Sequence, residues 1–265
     1  MISSVFGLLL LLGFGGIGLP ALAEENALSV DEVIRRAVVR AQKVEARTGQ
    51  TAYTYTKLTV TEELDGTGRL KERKEKVYRV FFQGGSTHLK LLTVNGRAPG
   101  TSDLRKQSDN DSNTRQIIGS KSAKAGENRD NFLTPEMVAR FQFKLIDEQE
   151  INGRTAYQIA FEPKRPPLPV HRLLDKLLDR MSGTIWIDKE EFEMAQAEVH
   201  LGSEIDLLGG VIGSLKKLAY TMTRTRVGEG VWFNTFSSGD FEGRKLLDSM
   251  RIKTKSQSSN FRRVG

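Results

Sequence analysis

The sequence predicts a mainly β protein: a single curved antiparallel sheet of about ten or eleven strands, forming an incomplete β-barrel with an N-terminal helix and lid helices on its concave side. Three observations carry this expectation. From residue 52 onward the chain breaks into short runs rich in Thr, Val, Tyr and Phe, separated by Gly- and Asn-containing turns at hairpin spacing. Within the runs, apolar and polar residues alternate with period two, which buries one sheet face and wets the other. One amphipathic helix precedes all the strands, an order that argues against a βαβ succession.

The first element is an export signal. Val5 to Leu19 is an unbroken run of aliphatic residues, Phe and Gly, followed by Pro20 and Ala21-Leu22-Ala23. Small residues at 21 and 23 suit a signal peptidase, which places cleavage after Ala23. The run is short and glycine-rich for a spanning helix, which needs about 20 apolar residues. No Cys stands at the cleavage site to carry a lipid anchor. Gly13-Phe14-Gly15-Gly16-Ile17-Gly18 spells a dinucleotide fingerprint, but it lies inside this apolar run with no strand before it, so it carries no nucleotide site.

Residues 24–265 then form one domain. They retain the full formal net charge of +7 and contain no Cys, so an exported chain must here be stabilised by core burial rather than disulfides. The charge suits an anionic membrane surface as a partner. Ser29-Val30-Asp31-Glu32 reads as a capping box, and apolar residues at three- and four-residue steps from Val30 to Val44 continue as a helix to about residue 47. Strands follow at 52–64 and 69–83, joined through Asp65-Gly66-Thr67-Gly68, and at 88–94, closed by Asn95-Gly96. Further hairpins pair 141–150 with 155–163 through Asn152-Gly153, and 184–188 with 192–201. The last strands, 219–227, 231–240 and 244–256, are read with turns at 228–230 and Phe241-Glu242-Gly243. Residues 105–130 form a polar loop expected to be mobile.

Two apolar segments interrupt this meander where a tight turn would suffice. Residues 170–182 place Leu173, Leu174, Leu177 and Leu178 on one helical face. Residues 205–217 hold Leu208, Val211 and Ile212 and read as a second lid. Strand parity supplies a floor beneath them. Tyr78, Val80 and Phe82 share a side, as do Leu89 and Leu91, while Phe143, Tyr157, Ile159 and Phe161 align on neighbouring strands. These residues are the candidate ligand-binding set: an apolar concavity under parting helices can admit a ligand.

Catalytic constellations are missing from the sequence. His88, His171 and His200 lack metal-ligand spacing, and neither a nucleophile elbow nor a Walker motif occurs. The expectation is therefore a non-enzyme without cofactor. Nucleic acid is an unsuitable partner, because Arg69–Arg79 interleaves bases with glutamates and the chain is exported.

Gly183-Thr184-Ile185-Trp186-Ile187-Asp188, followed by Phe192 and 195–199, resembles a strand pair of the LolA/LolB/RseB-like periplasmic lipoprotein-carrier superfamily, in its outer membrane lipoprotein-sorting branch. Gly230-Val231-Trp232-Phe233 and Asn152-Gly153-Arg154-Thr155-Ala156-Tyr157 fit the same order of elements. The resemblance implies a half-barrel whose lidded apolar cavity receives the acyl chains of lipoproteins or lipids. It implies a soluble periplasmic carrier, taken here as a monomer. The family's lid-locking arginine finds no match by position. A periplasmic envelope-sensing or regulatory protein-interaction module on the same fold is the alternative.

Overall fold

A computed structural model describes residues 28–47, 53–83, 86–105, 133–207, 213–245 and 248–264. The expected export signal, most of the expected polar loop, Leu208, Val211, Ile212 and the side chain of Phe82 lie outside the described residues. The sheet is a single antiparallel one of eleven strands and is not closed. In chain order the strands are β1 (Tyr53–Leu64), β2 (Leu70–Gln83), β3 (Ser86–Val94), β4 (Phe141–Ile151), β5 (Arg154–Pro163), β6 (Met181–Asp188), β7 (Met194–Leu201), β8 (Ile205–Leu207), β9 (Gly213–Gly228), β10 (Val231–Lys245) and β11 (Asp248–Arg263). Their spatial order is β3-β2-β1-β11-β10-β9-β7-β6-β5-β4, with β8 added beside β9. The two ends of the chain's β region therefore meet in the middle, where β1 pairs with β11 from Tyr53↔Arg263 to Leu64↔Arg251.

Three helices lie on the core face: α1 (Val30–Arg47), α2 (Pro135–Arg140) and α3 (Leu173–Leu178). The α1 start follows the capping chemistry in part. The Glu32 backbone N–H donates to Ser29 Oγ at 3.3 Å, but the Glu32 carboxylate turns instead to Arg35 and Arg36. The core is made by Val33, Ile34 and Ala37 of α1 against Ile159, Ile185, Ile187, Ala197 and Met222 of the sheet. Val33, Ile159, Ile187 and Met222 are wholly buried. Full burial of an aliphatic side chain of this kind stabilises by about 1.5–3 kcal/mol, so this half of the sheet, β4 to β9, is the molecule's anchor.

Two expectations are corrected. Residues 205–217 do not form a lid helix: Ile205↔Leu215 and Leu207↔Gly213 pair β8 with β9, so the described ends of this segment are strand. Ile205 is β-branched and suits a strand, while Gly213 disfavours helix. Phe241-Glu242-Gly243 is not a turn either, because β10 runs through it to Lys245. Gly243 serves close packing: a Cβ there would sit 2.3 Å from the Ser214 carbonyl oxygen. The helix read over 170–182 is shorter, ending before β6 begins at Met181.

The Trp-Ile-Asp strand has a local physical role. Asp188 is buried and accepts from Arg154 Nε at 2.6 Å and from the Glu190 and Glu191 backbone N–H groups at 3.1 and 2.7 Å. Burial alone would raise its carboxyl pKa, but Arg154 and these N–H groups hold it below the usual value. Asp188 thus fixes the turn into β7. Trp186 and Trp232 lie in this one sheet, each buried, with indole N–H groups on Gln149 Oε1 (2.9 Å) and Glu191 Oε2 (2.7 Å).

Candidate functional site

At the β4 edge of the sheet the helices leave a groove of about 530 Å³. Ile34, Val38 and Val39 of α1 form one wall, Pro135, Val138 and Ala139 of α2 the other, and Phe141 and Phe143 of β4 the floor. Asp31, Arg35, Gln142 and Lys164 stand around it. Alternation explains the floor: Phe141 and Phe143 face the helices while Gln142 and Lys144 are exposed. Phe141 packs edge-on to Phe161, with centroids 5.1 Å apart, so the floor is continuous with the core. The walls come from residues that helical spacing turns past the fully buried stripe of Val33 and Ala37.

One side of the groove is latched. Arg140, at the end of α2, is buried and reaches three acceptors: Asp179 Oδ1 at 3.0 Å, the Pro169 carbonyl at 2.8 Å and Asp175 Oδ1 at 3.4 Å. Asp175 is itself buried and accepts from the His171 and Arg172 N–H groups at 2.9 and 3.0 Å and from the Arg172 guanidinium at 3.0 Å. Burial would raise this carboxyl, but the His171 N–H, both donors of Arg172 and the charge of Arg140 bring it down to about 2. Arg172 also pairs with Glu136, closing a second link between α2 and α3. The helix α3 is thereby tied to the groove wall by ion pairs rather than by apolar packing alone.

A second ionic cluster holds α1. Arg40 Nε donates to Glu193 at 2.9 Å and Arg40 Nη2 to the Gly230 carbonyl at 2.7 Å, while buried Arg224 pairs with Glu193 from below. Through Arg40, which follows the groove residue Val39 on α1, it ties the helix to the β6–β7 turn and the β9–β10 hairpin.

A larger cavity of about 670 Å³ lies on the opposite sheet face. It is lined by Ala219 and Thr221, which alternate with the core residues Leu218, Tyr220 and Met222. Leu58 and Val60 lie there among Glu62, Arg73, Glu75, Asp240, Lys253 and Lys255, whose opposed charges suit a solvated surface. Among the described residues no cluster of His, Cys, Asp or Glu is arranged to hold a metal ion.

The described part of the sequence-derived set divides among four places. Phe143 lines the groove. Tyr157, Ile159, Phe161 and Leu178 are buried in the core, with Leu174 packed against it. Leu173 and Leu177 are half-buried on α3. Tyr78, Val80, Leu89 and Leu91 do share one face, since Tyr78 pairs with Leu91 and Val80 with Leu89, but they lie at the far β2–β3 edge. There Val80 and Leu91 are buried and Leu89 is exposed. Sequence reasoning missed α2 and Arg140. The start of α2 carried a signal: Thr134 caps the Met137 N–H at 3.2 Å, with Pro135 and Glu136 in the first turn. Arg140 carried none, because its partners lie 29 to 39 residues further along the chain.

No family model matches the chain, and no curated protein matches it by sequence. Solved structures do. The chain is similar to LolA-superfamily structures. An outer membrane lipoprotein-sorting protein domain from Vibrio parahaemolyticus aligns at 11% identity over 87% of this chain and 93% of that one, with a TM-score of 0.33. A LolA superfamily protein from Nitrosomonas europaea aligns at 9% identity over 90% and 95%, with a TM-score of 0.30. The lipoprotein LppX of Mycobacterium tuberculosis aligns at 10% identity over 88% and 96%, with a TM-score of 0.29. At these values function has to be read from the groove itself.

Proposed function

We propose that this protein is an exported, non-catalytic periplasmic carrier or binder of acylated lipoprotein or lipid, and that the groove between α1, α2 and β4 takes the acyl chain. The observation that supports this is the groove's lining. Val38, Val39, Val138, Phe141 and Phe143 converge on a space of about 530 Å³ at an open sheet edge, within the roughly 300–1,000 Å³ of small-ligand sites. Each methylene buried there contributes about 0.8 kcal/mol. Eight methylenes would therefore give roughly 6 kcal/mol before any cost of ordering the chain. That is an affinity range from which cargo can still be released.

The test is a fluorescent acyl probe titrated into wild type and Val39→Asp. Val39 lines the groove yet is 36% exposed, so a carboxylate there is tolerated by the fold and sits beside the bound chain. Probe affinity should fall at least about tenfold with an unchanged urea midpoint. A wild type that binds no probe, or a variant that binds it equally well, contradicts the reading.

A further inference from the structure

Large exposed apolar side chains are scattered singly over the described residues, as is normal for a folded chain, with one exception. Leu168 and Val170 are 40% and 43% exposed and lie two residues apart. They belong to the connection between β5 and α3, Lys164-Arg165-Pro166-Pro167-Leu168-Pro169-Val170-His171-Arg172, in which every residue from 164 to 171 is exposed. No Asp or Glu occurs in it. Glu136 is paired with Arg172, and Asp175 and Asp179 with Arg140, while Glu162, two residues before the connection, accepts from the neutral Gln142 amide and keeps its charge. Exposed Lys176 adds a further cation on α3.

The connection is held at both ends by one residue. Lys164 N–H donates to the Arg140 carbonyl at 2.9 Å, and the Arg140 guanidinium donates to the Pro169 carbonyl at 2.8 Å. Three prolines restrict the chain between those points. The exposed Leu and Val are therefore displayed on a stiff, stapled loop, which lowers the ordering cost of inserting them into another phase.

We infer that the 164–172 loop is a docking tip for an anionic lipid bilayer, with Leu168 and Val170 entering the interface and Lys164 and Arg165 meeting the headgroups. The charge pattern favours a membrane over a protein groove. Cations flanking short apolar side chains, without a carboxylate among them, complement an anionic leaflet. The inference rests on the acyl-binding reading for its purpose, because Lys164 also borders the groove and a docked loop would bring the groove's mouth to the lipid surface.

The experiment is sedimentation of the purified protein with vesicles of phosphatidylcholine alone and of an equimolar mixture with phosphatidylglycerol. Wild type, Leu168→Ser/Val170→Ser and Arg165→Gln are compared, and acyl-probe affinity is measured on each. The expected result is binding to the anionic vesicles only, weakened about tenfold or more in the double variant and about fivefold in Arg165→Gln, with probe affinity unchanged. Wild type that ignores both vesicles overturns the inference, as does a double variant that binds anionic vesicles like wild type, since the net charge alone would then explain binding. Loss of capture by a membrane protein partner in the variants, without any vesicle binding, also overturns it in favour of a protein interface. Vesicle binding through the loop in a protein that takes up no acyl probe supports the loop and sinks the carrier reading alone.

Discussion

Replacing Arg140 by Met should unlatch α3 without leaving a void, because the apolar stem is kept and only the guanidinium is lost. Three acceptors lose a donor at once: Asp179, Asp175 and the Pro169 carbonyl. Removing one partner of a buried ion pair costs about 3–5 kcal/mol. The lower end applies here. Asp175 keeps the Arg172 guanidinium and two backbone N–H groups, and half-buried Asp179 can rehydrate. The expected loss is thus about 3 kcal/mol, a large share of a total stability of roughly 5–15 kcal/mol. Urea unfolding of wild type and variant measures it from the midpoint shift at constant slope. Stopped-flow release of a bound acyl probe supplies a second readout, with faster release expected once α2 and α3 can part. A stability change under about 0.5 kcal/mol with unaltered release would show that the latch does not hold the lid.

Further outcomes follow from the same geometry. Because the Asp175 carboxyl is held near 2 in the folded protein, against 3.8 as the ordinary value, its contribution is fully present above that ordinary value. It is lost as pH falls from about 3.8 toward about 2, and Asp175→Asn should flatten this part of the acid-unfolding curve. Leu174→Asp should destabilise the whole domain, since Leu174 packs against the core cluster, whereas Leu173→Asp should be better tolerated; urea midpoints of the two distinguish core from surface. Gly183→Ala should cost about 3 kcal/mol, the upper range for overpacked sites, because the added Cβ would lie 1.9 Å from the Glu198 carbonyl oxygen; a variant with wild-type thermal stability would refute that close approach.

What could be read from the sequence was what local chemistry determines. Asn95-Gly96 and Asn152-Gly153 are hairpin turns with positive φ at both residues, 49° and 75° in the first and 51° and 76° in the second, as the Asn-Gly pair demands. The α1 stripe and the β5 and β7 alternation were legible for the same reason: each is a period within one element. Gly243 misled because glycine serves equally in a turn and in a close sheet contact, and only the position of Ser214 on β9 decides which. The 205–217 segment misled because a short apolar run satisfies helix or buried strand alike until its pairing partner is known. The groove joins α1 to α2 and β4, which adjoin each other but begin at Pro135, far along the chain from the end of α1 at Arg47, and the Arg140 latch joins α2 to residues beyond β5. Neither leaves a periodic trace. Parity placed Tyr157, Ile159 and Phe161 on the correct face without showing that helices fill the space above them.

The claim that an acyl chain occupies the α1–α2–β4 groove is tested most directly by photo-crosslinking. A fatty acid carrying a diazirine near its methyl end is bound to the purified protein, irradiated, and the labelled peptides are sequenced by mass spectrometry. The account predicts label on the α1 residues Ile34, Val38 and Val39 and on Val138, Phe141 and Phe143, competed away by unlabelled fatty acid. Label confined to the opposite sheet face around Leu58 and Val60, or no competable label at all, would contradict it.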